Sequence, residues 1–151
     1  MVKSRCFSIF NTSGNPRFMS ETYNFSISAI NHGEVPPIYS MFLKQGTWRL
    51  KPIAGHFKAW NAWSGLVTEC GTPTTCSRGW ITSHRIWSPN FTSHPNFTIE
   101  VISPRCETED IALANAIETV FTLSTDSVFS VFILDSYDDN RGGLSFRLQS
   151  V

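Results

Sequence analysis

The run Val128–Leu134 constrains the fold more than any other part of the chain. It is apolar at every position except Ser130. A short, nearly continuous apolar run is the mark of a strand inside a sheet. Other segments read as strands with one buried face. Thr22–Ile30 alternates, with Tyr23, Phe25, Ile27 and Ala29 on one side. Ile38–Leu43 follows the Pro36-Pro37 break, and Thr47–Ile53 follows the Gln45-Gly46 turn with Trp48 and Leu50 on one face. Trp80–Trp87 and Phe97–Ile102 are further strand signals, and Leu144–Leu148 alternates with Ser145 and Arg147 outward. Ile111–Ile117 is Ala-rich, which favours a short helix, whereas the adjoining Thr119–Leu123 favours a strand. About seven to nine short strands with at most one helix predict an all-β fold. The expected architecture is an antiparallel β-sandwich or jelly roll.

The 151 residues are enough for one domain, and 41% apolar residues are enough for its core. Residues 21–151 are expected to form it. Residues 1–20 contain the turn formers Asn11-Thr-Ser-Gly-Asn-Pro16 and are expected to be an arm, disordered or loosely packed. Twelve basic and twelve acidic residues cancel, so the chain lacks the positive field that nucleic acid or an anionic membrane surface requires. No apolar run is long enough to insert in a membrane. Charged residues make up only 16%, and 33 Ser and Thr fill the polar positions. That composition is common in secreted or cell-surface β proteins. Lys3 and Arg5 have the charge of a signal-peptide start, but the apolar stretch at 6–10 is too short and broken to be its core. Cys70 and Cys76 flank Gly-Thr-Pro-Thr-Thr, a turn-forming spacer across which a disulfide is geometrically easy. Cys6 and Cys106 lie far apart, and their pairing stays open.

Two clusters carry chemistry. Asp135, Asp138 and Asp139 crowd into five residues beside Asn140, in a loop read as hairpin-like and ending in Gly142-Gly143. Crowded carboxylates repel unless a cation or hydrogen bonds satisfy them, and oxygen ligands at short spacing suit calcium. The competing reading is a solvated turn. In the second cluster, His56–Trp63, Trp60 and Trp63 offer an aromatic surface for stacking on a sugar, against the alternative that one or both plug the core. The four His lack zinc-ligand spacing, and there is no G-x-S-x-G, P-loop or G-x-G-x-x-G. An acid pair such as Glu100 with an aspartate of the loop is conceivable for a glycosidase, but the spacing does not favour it.

Several segments resemble a group of secreted bacterial β-sandwich proteins, many of them cyanobacterial, that often end in a sorting tail opening with Pro-Glu-Pro. They are Gln45–Trp63, Ala112–Ile117, Phe121–Leu123 and Asp135–Leu144. The likeness covers roughly residues 22–151. More distantly, Ser136–Ser145 is similar to the last loop of calcium-dependent, galactose-binding bacterial lectins, small jelly-roll sandwiches. That resemblance implies a galactose-binding-domain-like fold. It also implies a calcium ion held by Asp135, the Ser136 carbonyl, Asp139 and Asn140, with a main-chain oxygen from Phe57 or Lys58. The Cys70/Cys76 pair resembles a cysteine-closed loop near the lectin site. The His and Gln that grip galactose in those lectins have no counterpart between Trp63 and Cys70.

The expected function is a secreted, non-enzymatic carbohydrate-binding module, with calcium as cofactor at the last loop. Asp135, Asp139 and Asn140 would hold the ion and the hydroxyls of a glycan or polysaccharide, and Trp60 or Trp63 would stack on the ring. The alternative is an extracellular or envelope assembly sandwich with no small-ligand site, and homo-oligomerisation is left open.

Overall fold

The computed structural model describes residues 2–4, 20–30, 37–92, 97–135 and 138–151. The chain is all-β. It has strands β1 (Val2–Ser4), β2 (Thr22–Ser28), β3 (Ile38–Leu43), β4 (Gly46–Pro52), β5 (Trp60–Asn61), β6 (Trp80–Ile81), β7 (His84–Trp87) and β8 (Thr98–Val101). A helix, α1 (Glu109–Ala114), comes next, followed by β9 (Thr119–Leu123), β10 (Ser127–Phe132) and β11 (Arg141–Ser150). The strands form two antiparallel sheets, β1-β2-β11-β4-β9 and β3-β10-β7-β8. The first sheet continues past one end of β11 into the short pair β5-β6.

β11 organises the first sheet. One edge pairs with β2 from Gly143 to Gln149. The other pairs first with β5, at Arg141 and Gly142, and then with β4, from Phe146 to Ser150. Between these partners, residues 53–59 loop out and are tied to Ser145, whose carbonyl accepts from Ile53 N (2.8 Å) and whose hydroxyl accepts from Phe57 N (2.9 Å). Gly142 makes the change of partner possible. Its φ of +77° suits glycine, and a Cβ there would collide with the Ala59 carbonyl.

Alternation places the core between the sheets. Tyr23, Phe25, Ile27, Leu144, Phe146 and Leu148 face Phe129, Val131, Ile133 and Ile86. Rings bridge the two layers: Phe121 of β9 stacks on Phe129 of β10 with centroids 4.8 Å apart. The apolar run at 128–134 is interior as expected, since β10 pairs with β3 on one side and β7 on the other. Only alternate residues reach the core, and Phe132 is half-buried on the opposite face. The two outer faces differ. That of the first sheet carries Thr22, Asn24, Arg49, Lys51, Arg147 and Gln149, whereas that of the second carries exposed Ile38, Phe42 and Val128.

Two expectations need correction. Trp80–Trp87 is not one strand: β6 and β7 belong to different sheets. The break comes where hydroxyls replace the ladder, with Thr82 N donating to Ser103 Oγ (2.8 Å) and Ser103 N to Ser83 Oγ (2.9 Å). Nor is Asp135–Gly143 a hairpin loop, because β10 and β11 do not pair and the segment crosses between sheets. The Ala-rich ambiguity resolves into both elements. Thr108 caps α1 by accepting from Ile111 N (3.2 Å), and β9 follows. Of the expected arm, Val2–Ser4 pairs with β2, and residues 5–19 lie outside the described residues. Among the described residues no helix is long and apolar enough to cross a membrane.

Candidate functional site

Trp60 and Trp63 have different environments despite their spacing. Trp60 is buried in β5, 3% exposed, and its indole N–H donates to the Ser83 carbonyl (2.9 Å). Its expected role as a sugar platform is corrected: as part of the core cluster it leaves no open surface for a sugar to stack on. Trp63 sits on a turn just after β5 and is partly exposed. The side chain that separates them is Asn61, which is fully buried. Its Oδ1 accepts from Trp63 N (2.7 Å) and Gly65 N (3.2 Å), and its Nδ2 donates to the Leu66 carbonyl (3.0 Å). Leu66 N closes the turn on the Trp63 carbonyl (2.9 Å). Asn61 thus replaces a ladder with a side-chain-built turn that lifts Trp63 to the surface.

A disulfide-closed loop rises beside Trp63. Cys70 and Cys76 are bonded, their Cα atoms 3.9 Å apart. The stem is the Thr68–Arg78 bridge, with Thr68 N donating to the Arg78 carbonyl (3.0 Å). The loop is stitched to the stretch before α1: Cys76 N donates to the Arg105 carbonyl (3.1 Å), and Glu107 N donates to the Pro73 carbonyl (2.8 Å). Cys106 beside it is a buried free thiol, its pKa pushed up by burial. Cys6 lies outside the described residues.

Between the turn and the loop lies a surface depression of about 520 Å3, lined by Trp63, Thr68, Glu69, Ser77, Arg78 and Arg105. The Arg105 guanidinium lies 5.0 Å from the Trp63 ring centroid, a cation–π contact, and its Nη1 donates to the Ser77 carbonyl (2.9 Å). Glu69 accepts from the Ser77 hydroxyl (2.6 Å). Among the described residues no carboxylate is within ion-pair distance of Arg78 or Arg105. A second depression, about 340 Å3, is lined by Glu21, Lys44, Gln45 and Trp48 among others. Its Trp48 is buried, so it presents no ring face.

The acidic loop is built differently. Asp138 and Asp139 are exposed, whereas Asn140 is fully buried and turned inward, its Nδ2 donating to the Ala29 carbonyl (3.1 Å). Among the described residues Asn140 Oδ1, also buried, has no hydrogen-bond partner. Ser136, expected to offer its carbonyl, lies outside the described residues. Phe57 is half-buried, and its backbone N–H is committed to Ser145. Among the described residues no three His, Cys, Asp or Glu are placed to share a metal ion. A hydrogen bond joins the two regions: Ser64 N, on the Trp63 turn, donates to the Asp139 carbonyl (2.7 Å). Glu100, weighed as half of a catalytic acid pair, is ion-paired with Arg85 across β7 and β8.

Sequence reading found Trp63 and the disulfide but missed Arg78, Arg105, Glu69 and Asn61. Arg78 lies two residues past Cys76 and was findable as a charge flanking the closed loop. Arg105 reaches the site through the Trp80–Cys106 bridge, which no local pattern announces. Comparison with protein-family models, with curated proteins and with solved structures finds no match.

Proposed function

We propose that this chain is a secreted, non-enzymatic carbohydrate-binding β-sandwich whose glycan site is the depression beside the disulfide loop. The observation that carries the reading is Trp63, held partly exposed at the rim of a 520 Å3 depression among hydroxyl, carboxylate and guanidinium groups. An aromatic surface packs on the apolar face of a sugar, while Ser77, Thr68, Glu69 and the arginines serve its hydroxyls. The disulfide fits an oxidising compartment. The site is rigid where it needs to be: Asn61 fixes the turn and the disulfide fixes the opposite wall, which lowers the ordering cost of binding.

A calcium-assisted version is the second reading. It is favoured by the unpartnered, buried Asn140 Oδ1 and by the bond from Ser64 to Asp139 that links the acidic loop to the Trp63 turn. In that version calcium supplies a centre for sugar hydroxyls, and Asp135, Asp139 and Asn140 are the residues that would hold it.

The test is binding of a polysaccharide panel, neutral and charged, to the wild-type chain and Trp63→Ala. The expected result is binding to at least one glycan, weakened about tenfold or more by the substitution. Binding that survives Trp63→Ala unchanged would move the site elsewhere. Loss of binding on chelation would favour the calcium version. Absence of glycan binding altogether would leave the assembly reading in its place.

A further inference from the structure

Resting on the reading that the depression beside Trp63 binds glycan, we infer that its ligand is an anionic sugar, one carrying a carboxylate or sulfate. Two guanidinium groups line the depression against one carboxylate. That carboxylate, Glu69, is bonded to the Ser77 hydroxyl and neutralises neither arginine, for no ion pair reaches Arg78 or Arg105 among the described residues. Elsewhere Lys44, Arg49, Lys58 and Arg85 each meet a carboxylate, while Lys51, Arg141 and Arg147 make no ion pair among the described residues; what sets Arg78 and Arg105 apart is that they line one depression together.

The two arginines are prepared differently. Arg105 is held in place by the Trp63 ring and by its bond to the Ser77 carbonyl, so most of its donors remain for a ligand and little side-chain entropy is left to lose. The Arg78 side chain makes no hydrogen bond or ion pair among the described residues, and its backbone is fixed by the bridge to Thr68. A fixed and a movable guanidinium on one depression form a clamp for an oxyanion, in which charge-assisted bonds are about twice as strong as neutral ones. Trp63 then supplies the apolar ledge for the ring that carries the anion.

Isothermal titration at moderate salt tests the inference with matched pairs. Galacturonate oligosaccharides are compared with their methyl esters, and a sulfated galactan with the same galactan desulfated. At least one anionic member is expected to bind about tenfold or more tightly than its neutral mate. The pair that shows the difference identifies carboxylate or sulfate. Arg78→Gln is expected to abolish most of that difference while leaving the melting temperature unchanged, and added salt is expected to narrow it. Equal binding of charged and neutral mates, or a preference indifferent to Arg78→Gln, would overturn the inference and leave glycan binding standing. No binding to any member, charged or neutral, together with no binding to the wider polysaccharide panel, would remove both.

Discussion

The Trp63 turn and the acidic loop are neighbours joined by the hydrogen bond from Ser64 N to the Asp139 carbonyl, and each contains a fully buried asparagine. Asn61 uses both ends of its amide, accepting two backbone N–H groups and donating to a carbonyl, and the result is a turn that presents a side chain. Among the described residues Asn140 uses only its Nδ2, and the result is a crossover whose amide faces inward while Asp138 and Asp139 are exposed. Density of charge in the sequence therefore marked a crossover in which Asp138 and Asp139 are exposed. The presented surface was made by a single amide with no charge at all.

The sharpest way to break this comparison is to delete each amide. Asn61→Ala removes the partners of Trp63 N, Gly65 N and the Leu66 carbonyl in a part-buried turn, and is expected to cost about 3 kcal/mol. Asn140→Ala loses the bond from Nδ2 to the Ala29 carbonyl and the longer one, 3.5 Å, to the Asp135 carbonyl, but also removes an unsatisfied oxygen, and is expected to cost about 1 kcal/mol. Denaturant unfolding of both variants checks the ratio, and equal costs would contradict the assignment of unequal roles.

Acid provides the second contrast. A group that burial tunes lies in neither region: the His84 pKa is lowered by burial from 6.5 to about 4, despite the bond from Nδ1 to the Thr82 carbonyl. The unfolded chain takes up this proton below pH 6.5 and the folded chain does not until about pH 4. Stability contributed by neutral His84 is complete above that window and lost as pH falls through it, by about 3 kcal/mol in all. Unfolding free energies measured from pH 7 to 4 should show this slope in the wild type and a shallower one in His84→Gln.

Smaller effects separate the regions further. Cys70→Ser with Cys76→Ser is expected to cost roughly 2 kcal/mol on the chain-entropy account, and to weaken glycan binding by loosening one wall of the depression. Asp139→Ala keeps the backbone carbonyl that Ser64 uses, and is expected to change the melting temperature by less than about 2 °C. In the calcium version of the site the same substitution would also abolish any rise in melting temperature on adding calcium.

Much of the fold was legible because alternation is a local signal. Tyr23, Phe25 and Ile27, Trp48 and Leu50, and Leu144 and Leu148 all face the core that their spacing indicated. The partition of Trp80–Trp87 was not legible, because hydroxyls at Ser83 and Ser103 do what an unbroken ladder would otherwise do. The site was half legible. Trp63 and the cysteine loop stood out as residue types, but their relation to Arg105 depends on a bridge between Trp80 and Cys106. Two residues separate Trp60 from Trp63 in sequence, and the Asn61 amide builds the turn by which one goes inward and the other out.

The most direct test of the Trp63 site is heteronuclear NMR during titration with the glycan that binds. Shifts are expected at the Trp63 indole N–H, at the amides of 68–78 and at Arg105, with the Trp60 indole unmoved in its bond to Ser83. Shifts centred on residues 138–140, with Trp63 and Arg105 silent, would contradict it.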